Sequence, residues 1–176
     1  MGERRALGLV AMAMVSMVGC RMSAPQGYLG VKWGDETAAS VARLKATCDS
    51  WLAWEGGGGF TACFDIDHTV EALGAPAFVR LFQKDGKIAA LSLRFRGCGA
   101  RRAELTAAVR KEFRLEAGDG DPYQVFADQS LVHLSHDGGD DSCTLTVAGP
   151  EFGKAFAAFL LGGGLRGMSR GLRPTH

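Results

Sequence analysis

The chain opens with Arg4 and Arg5 and then runs for thirteen residues, Ala6 to Val18, without a charge. A short basic start followed by an apolar stretch of that length is the layout of an export signal, and it decides the environment in which the rest must fold. The stretch falls short of the roughly 20 residues that a helix needs to cross a bilayer, and no later segment comes closer, so no permanent membrane span is expected. Export delivers the chain to a compartment where thiols oxidise, which turns cysteine content into a structural constraint. Five cysteines are present. Cys20 closes the signal segment, and Cys48, Cys63, Cys98 and Cys143 form an even set from which two disulfides are expected. Four cysteines allow three pairings. The short, glycine-rich segment between Cys48 and Cys63 favours joining those two, leaving Cys98 for Cys143, but spacing alone leaves all three open. No C-x-x-C pair occurs, so no metal site is expected at these thiols.

The signal segment ends Met17-Val18-Gly19-Cys20, which resembles the bacterial lipobox, usually Leu, a small residue, Gly or Ala, then Cys. The resemblance implies removal of residues 1–19 and a thioether-linked diacylglycerol on Cys20, usually with a further acyl chain on its amino group. Several chains anchor stably where one is marginal. An ordinary secretory signal would instead leave Cys20 a spare thiol. Arg21 stands where lipoproteins kept at the inner membrane usually carry Asp, which implies the periplasmic face of the outer membrane. The partners expected on this reading are the membrane, through the anchor, and another envelope protein.

Of 20 basic and 19 acidic residues, the leader removes Arg4, Arg5 and Glu3, leaving a mature chain of balanced charge. Without a basic run there is no electrostatic reason to bind nucleic acid. Residues 20–27 read as a polar tether, 28–161 as a single domain, and the Gly- and Arg-rich stretch 162–176 as a disordered tail.

Within the domain, Tyr28 to Asp35 predicts a brief strand delivering the chain to a helix capped by Asp35, with Val41, Leu44, Cys48 and Trp51 on its apolar stripe. Gly56 to Gly59 is then a flexible link. Phe60, Ala62, Phe64 and Ile66 alternate with Thr61, Cys63, Asp65 and Asp67, predicting a half-buried strand with the carboxylates on its solvated side. Phe78 to Phe82 and Ile88 to Arg96 flank an Asp85-Gly86 turn and predict a hairpin, with Ala90, Ser92, Arg94 and Arg96 on the wet side of its second arm. Residues 100–114 predict a second helix, Tyr123 to Ala127, Leu131 to Ser135 and Cys143 to Val147 three strands, and Pro150 the start of a last helix. The fold class is therefore α+β, an antiparallel sheet with two to three helices on one face in the order β-α-β-β-β-α-β-β-β-α. The opening, a glycine and an aromatic residue before a capped helix, resembles the small SmpA/OmlA-type envelope lipoproteins; the longer list of strands here departs from their compact pattern.

Phe64-Asp65-Ile66-Asp67-His68-Thr69-Val70 resembles the D-x-D-x-T motif of haloacid dehalogenase-like phosphatases. That resemblance implies a magnesium ion, Asp65 as nucleophile and Asp67 as acid/base, with Ser92, Lys111 and the Asp119 to Asp121 segment as further candidates. Too little chain separates Asp65 from Asp119 for the doubly wound parallel sheet of that family, whose βαβ units take about 30 residues each. His133 and His136 point to opposite faces of a strand and do not assemble a metal site with Asp137, Asp140 and Asp141. Trp33, Trp51 and Trp54 read as core or rim packing. With no catalytic set and no cofactor expected, the sequence favours a non-enzymatic binding or assembly module over the phosphatase.

Overall fold

The structure, a computed structural model, describes residues 22–162; the signal segment with Cys20, the tail from 163 onward and the side chains of Ile66 and Asp67 lie outside the described residues. The elements are β1 (Gly27–Tyr28), β2 (Val31–Lys32), α1 (Thr37–Leu44), β3 (Leu52–Ala53), β4 (Thr61–Ala72), β5 (Ala75–Lys84), β6 (Lys87–Arg96), α2 (Arg102–Glu112), β7 (Tyr123–Val125), β8 (Leu131–Asp137), β9 (Ser142–Ala148) and α3 (Pro150–Leu161). β1 and β2 pair with each other, and the other seven strands form one sheet in the order β3-β4-β5-β6-β9-β8-β7. Every pairing in it is antiparallel. The α+β class with a large antiparallel sheet and three helices is the one expected. Asp85 (φ 52°) and Gly86 (φ 76°) supply the two positive angles that close the β5–β6 hairpin.

The sheet is covered on both sides, which differs from the expected single helical layer. Leu91, Leu93 and Phe95 of β6 lie in one core with Val79, Leu81, Leu145 and Val147, beneath Leu44 of α1 and Leu105 and Val109 of α2. On the other side Ala62, Phe82, Ala90 and Ala148 pack with Trp54 and Phe60 beneath Phe152 and Phe156 of α3. The alanines make room there for the rings. Ala90 and Ser92, expected on a wet face, are accordingly buried. Gly153 lets α3 sit close: a Cβ at that position would lie 2.1 Å from the carbonyl oxygen of Gln129.

The segment before β4 departs most from expectation. α1 stops at Leu44, with Lys45 in the left-handed region (φ 53°), and Cys48 and Trp51 lie beyond it rather than on its stripe. Two bonds to β4 pull the chain off the helical path: the Cys48–Cys63 disulfide and a hydrogen bond from the Thr47 amide to Asp65 Oδ2 at 2.7 Å. Asp35 does not cap α1; its carboxylate accepts the Lys32 amide at 3.1 Å and pairs with Arg43. The glycine run is no loose link but the turn of a further hairpin, in which Leu52 pairs with Ala62 and the Trp54 amide donates to the Phe60 carbonyl at 2.9 Å.

The second disulfide, Cys98–Cys143, ties the entry to α2 to β9 across 45 residues, against 15 for the first. By loop closure, losing the first bridge is expected to cost about 3 kcal/mol and the second about 4 kcal/mol. Urea unfolding of the Cys48→Ala/Cys63→Ala and Cys98→Ala/Cys143→Ala variants tests the ranking, and alkylation before reduction should label none of the four thiols.

Candidate functional site

α3 covers only one end of its side of the sheet. The first row left beyond it runs across six strands in register: Phe64 on β4, Arg80 on β5, Ser92 on β6, Thr146 on β9, His133 on β8 and Tyr123 on β7. The next row carries Phe78, Arg94, Thr144 and Ser135. Phe64 and Tyr123 stand at the two ends of the first row, 46% and 48% exposed, whereas Ser92 and Thr146 form a buried floor between them. Alternation puts these side chains on one face; within the row His133 meets α3 at Phe156, while Phe64 and Tyr123 are exposed.

Arginines and aromatic rings interleave on this surface. The Arg80 guanidinium carbon lies 3.8 Å from the centroid of Phe64 and 6.0 Å from that of Phe82, and Arg96 lies 4.3 Å over Phe78. Such contacts hold a cation against the negative face of a ring. Arg94 is paired with Asp140 and donates from Nε to Ser142 Oγ at 3.3 Å. Arg80 makes no hydrogen bond or ion pair among the described residues. Burial, reinforced by Arg94 and opposed by Glu55, brings its pKa down to about 10, which leaves it charged at neutral pH. Ser92 Oγ and Thr146 Oγ1 share a hydrogen bond of 2.7 Å. His133 packs edge-on against Tyr123 at 5.3 Å and against Phe156 at 5.9 Å. Burial holds its pKa below the usual 6.5, against a smaller opposing pull from Asp121. The row thus offers a cation, two hydroxyls and a neutral imidazole between exposed rings.

The carboxylates singled out in the sequence do other work. Asp65 is 3% exposed rather than solvated, because the chain after α1 covers that side of β4. Besides Thr47, it accepts the amide of His68 at 2.9 Å, across a bulge in which β4 runs from Phe64 to Thr69 while β5 advances from Arg80 to Phe78. The side chain of Asp67 lies outside the described residues. Ser92 and Lys111 fall on opposite sides of the sheet, and Asp121 forms a two-bond ion pair with Arg102 at 3.0 and 2.8 Å. The parallel sheet that the phosphatase resemblance implies is not the sheet of this chain. His136 lies near Asp141 and Cys98, but the Cys98 sulfur is committed to Cys143. Trp54 is buried among Phe60, Phe82, Phe152, Phe156 and Phe159, and Trp33 donates to the Pro25 carbonyl at 2.7 Å. Trp51 is half-buried.

Arg80 is the residue that the sequence reading passed over. Its signal was a lone charge inside the apolar strand Phe78-Val79-Arg80-Leu81-Phe82, on the side that β6 marks with Ser92 and Arg94.

No protein-family model and no curated protein matches the chain. Among solved structures, a cysteine-rich secretory protein from Staphylococcus aureus is similar at 8% identity and a TM-score of 0.41, over 75% of this chain and 50% of that one. The chain therefore spans about half the length of that protein.

Asp65→Ala is expected to destabilise the protein by about 2 kcal/mol, because it removes a buried carboxylate that accepts two part-buried amide hydrogen bonds; urea unfolding measures it. For His133 the folded state disfavours the proton relative to the unfolded chain. Stability is therefore complete above the ordinary histidine value of 6.5 and falls as the pH drops below it. Thermal melts between pH 7 and 5 should show a loss that His133→Phe reduces.

Proposed function

We propose that the protein is an exported envelope lipoprotein, anchored through Cys20 to the periplasmic face of the outer membrane, which acts by binding another envelope protein rather than by catalysis. The observation that carries this reading is the half of the sheet beyond α3, where exposed Phe64 and Tyr123 frame Arg80, which lies over the Phe64 ring and makes no hydrogen bond or ion pair among the described residues. Exposed aromatic and Arg side chains around a desolvated centre are the composition of binding hot spots. Two disulfides suit a chain folded outside the reducing cytosol. No described helix is long and apolar enough to cross a membrane, so membrane attachment is assigned to the lipid.

Cys20→Ala removes the only attachment point for that lipid. It is expected to block processing or to move the protein from the detergent phase to the aqueous phase in cell fractionation; unchanged processing and partitioning would refute the anchor. A photo-crosslinking side chain at Phe64 or Tyr123 is expected to capture a discrete envelope protein, whereas one at Lys111, on the other side of the sheet, is not. Equal labelling from both sides would remove the open face as the binding surface.

A further inference from the structure

We propose that the thiol form of the Cys98–Cys143 pair is a metal site, in which both sulfurs, a ring nitrogen of His136 and a carboxylate oxygen of Asp141 take one zinc-class ion. This site goes beyond the binding function proposed above and depends on neither the lipid anchor nor the open face. The spacing of the cysteines gives no reason to expect metal. The fold supplies what spacing lacks, bringing together the entry to α2, the end of β8 and the turn into β9.

The sulfur of Cys98, a ring nitrogen of His136 and a carboxylate oxygen of Asp141 all lie within 4.8 Å of one another, and no other three such groups converge among the described residues. Cys143 adds the fourth ligand: its sulfur is bonded to that of Cys98, and it is the register partner of His136 across β8 and β9. Donor atoms around tetrahedral zinc, at about 2.3 Å for sulfur and 2.0–2.1 Å for nitrogen, stand about 3.3–3.8 Å apart, so the converging groups need to close by only about 1 Å. The Nε2 atom of His136 is buried and makes no hydrogen bond; Asp141 Oδ1 is 3.9 Å away, too far for one. A buried polar atom left without a partner is unfavourable, and coordination would supply one. Asp141 is held as outer-shell bonds hold a metal-ligating carboxylate. Its Oδ1 accepts the Gly99 amide at 2.7 Å, and its backbone carbonyl accepts the Cys98 amide at 3.1 Å. Only glycine admits this approach, since a Cβ at position 99 would lie 2.5 Å from Asp141 Oδ1. Both sulfurs are buried, whereas the Asp141 side chain is 59% exposed and opens an entry path.

The thiol form arises in two ways. Cysteines are made as thiols and pair only in an oxidising compartment, so every chain passes through it. A dithiol reductant also returns the oxidised chain to it, giving two electrons and two protons to the S–S bond and becoming a disulfide itself. Binding of a divalent ion then releases both thiol protons to solvent and leaves two thiolates on the metal. Two thiolates with an imidazole and a carboxylate suit zinc and select against magnesium and calcium, which take oxygen ligands. The ion ties the entry to α2 to β9, the same two points that the disulfide joins, so the cross-link persists in either state.

The test uses the full chain in detergent, reduced with a phosphine and titrated without oxygen with cobalt(II). The visible bands of cobalt report a tetrahedral ion, and its near-ultraviolet band reports thiolate ligands. One cobalt ion per chain is expected, displaced by zinc, and the oxidised chain is expected to show no thiolate band. His136→Ala should weaken binding by at least about tenfold, the lower end of what losing even an outer-shell partner does. Asp141→Asn, which can still accept the Gly99 amide, should weaken it as well. Cys48→Ala/Cys63→Ala and Cys20→Ala should bind as the wild type does, which confines the ligands to the second pair whether or not lipid occupies Cys20. Zinc is expected to raise the melting temperature of the reduced chain and to shield Cys98 and Cys143, not Cys48 and Cys63, from alkylation; neither effect should appear in His136→Ala. If Cys48→Ala/Cys63→Ala fails to fold, the pattern of shielded thiols carries that comparison. Absence of cobalt and zinc binding by the reduced chain overturns the proposal. So does binding that His136→Ala leaves unchanged, or a thiolate band that follows Cys48 and Cys63.

Discussion

Phe152 is the contact on which the second side of the sheet depends. Its ring lies 4.5 Å from Phe82, 4.7 Å from Trp54 and 5.0 Å from Phe60, so one side chain of α3 joins β5 to the turn between β3 and β4. A ring with so many aromatic neighbours contributes through buried area first and ring geometry second. Its seat exists because Ala62, Ala90 and Ala148 line the sheet below it and because Gly153 removes the one Cβ that would hold the helix off. At 1.5 Å per residue a helix of this length reaches about 18 Å, less than the strands beneath it extend once β4 and β5 run on past Phe64 and Arg80. The uncovered face follows from this mismatch.

The opposite core is organised from its edges. Both disulfides fasten coil to strand: Cys48 to β4, and Cys98, at the entry to α2, to β9. Asp65 does the same job without a covalent bond, since its two carboxylate oxygens fix the chain that leaves α1 and the bulge in β4. Short helices such as α1 gain little from their own backbone bonds, and what holds α1 in place is the fastening on either side of it together with burial of Leu44.

Much of this was legible in the sequence where a local rule acts alone. Asp85-Gly86 has one low-energy way to turn a hairpin, and Leu91, Leu93 and Phe95 can share only one face of a strand. Periodicity failed where it had to decide which face meets water. For β4 the alternation was read correctly and Phe60 and Ala62 are buried as expected, but the outcome is inverted at Phe64, which is exposed, and Asp65, which is buried, because the cover over each side is supplied by segments other than the strand itself. α1 was read too long for a related reason. Cys48 and Trp51 keep helical spacing, but a disulfide and a carboxylate on β4 claim the backbone first. Arg80 stayed hidden because a single charge in an apolar strand looks like an outward-facing position until the strands on both sides of it are known.

β4 is twelve residues long, and β3 pairs with only two of them, Thr61 and Ala62. Most of its outer margin therefore lacks a neighbouring strand, an arrangement that invites edge-to-edge stacking of identical molecules. The bulge that Asp65 secures interrupts the regular spacing of backbone donors and acceptors along that margin, and the disulfide to Cys48 lays a stretch of coil across its beginning. These two devices keep an unfinished sheet from growing into a fibril.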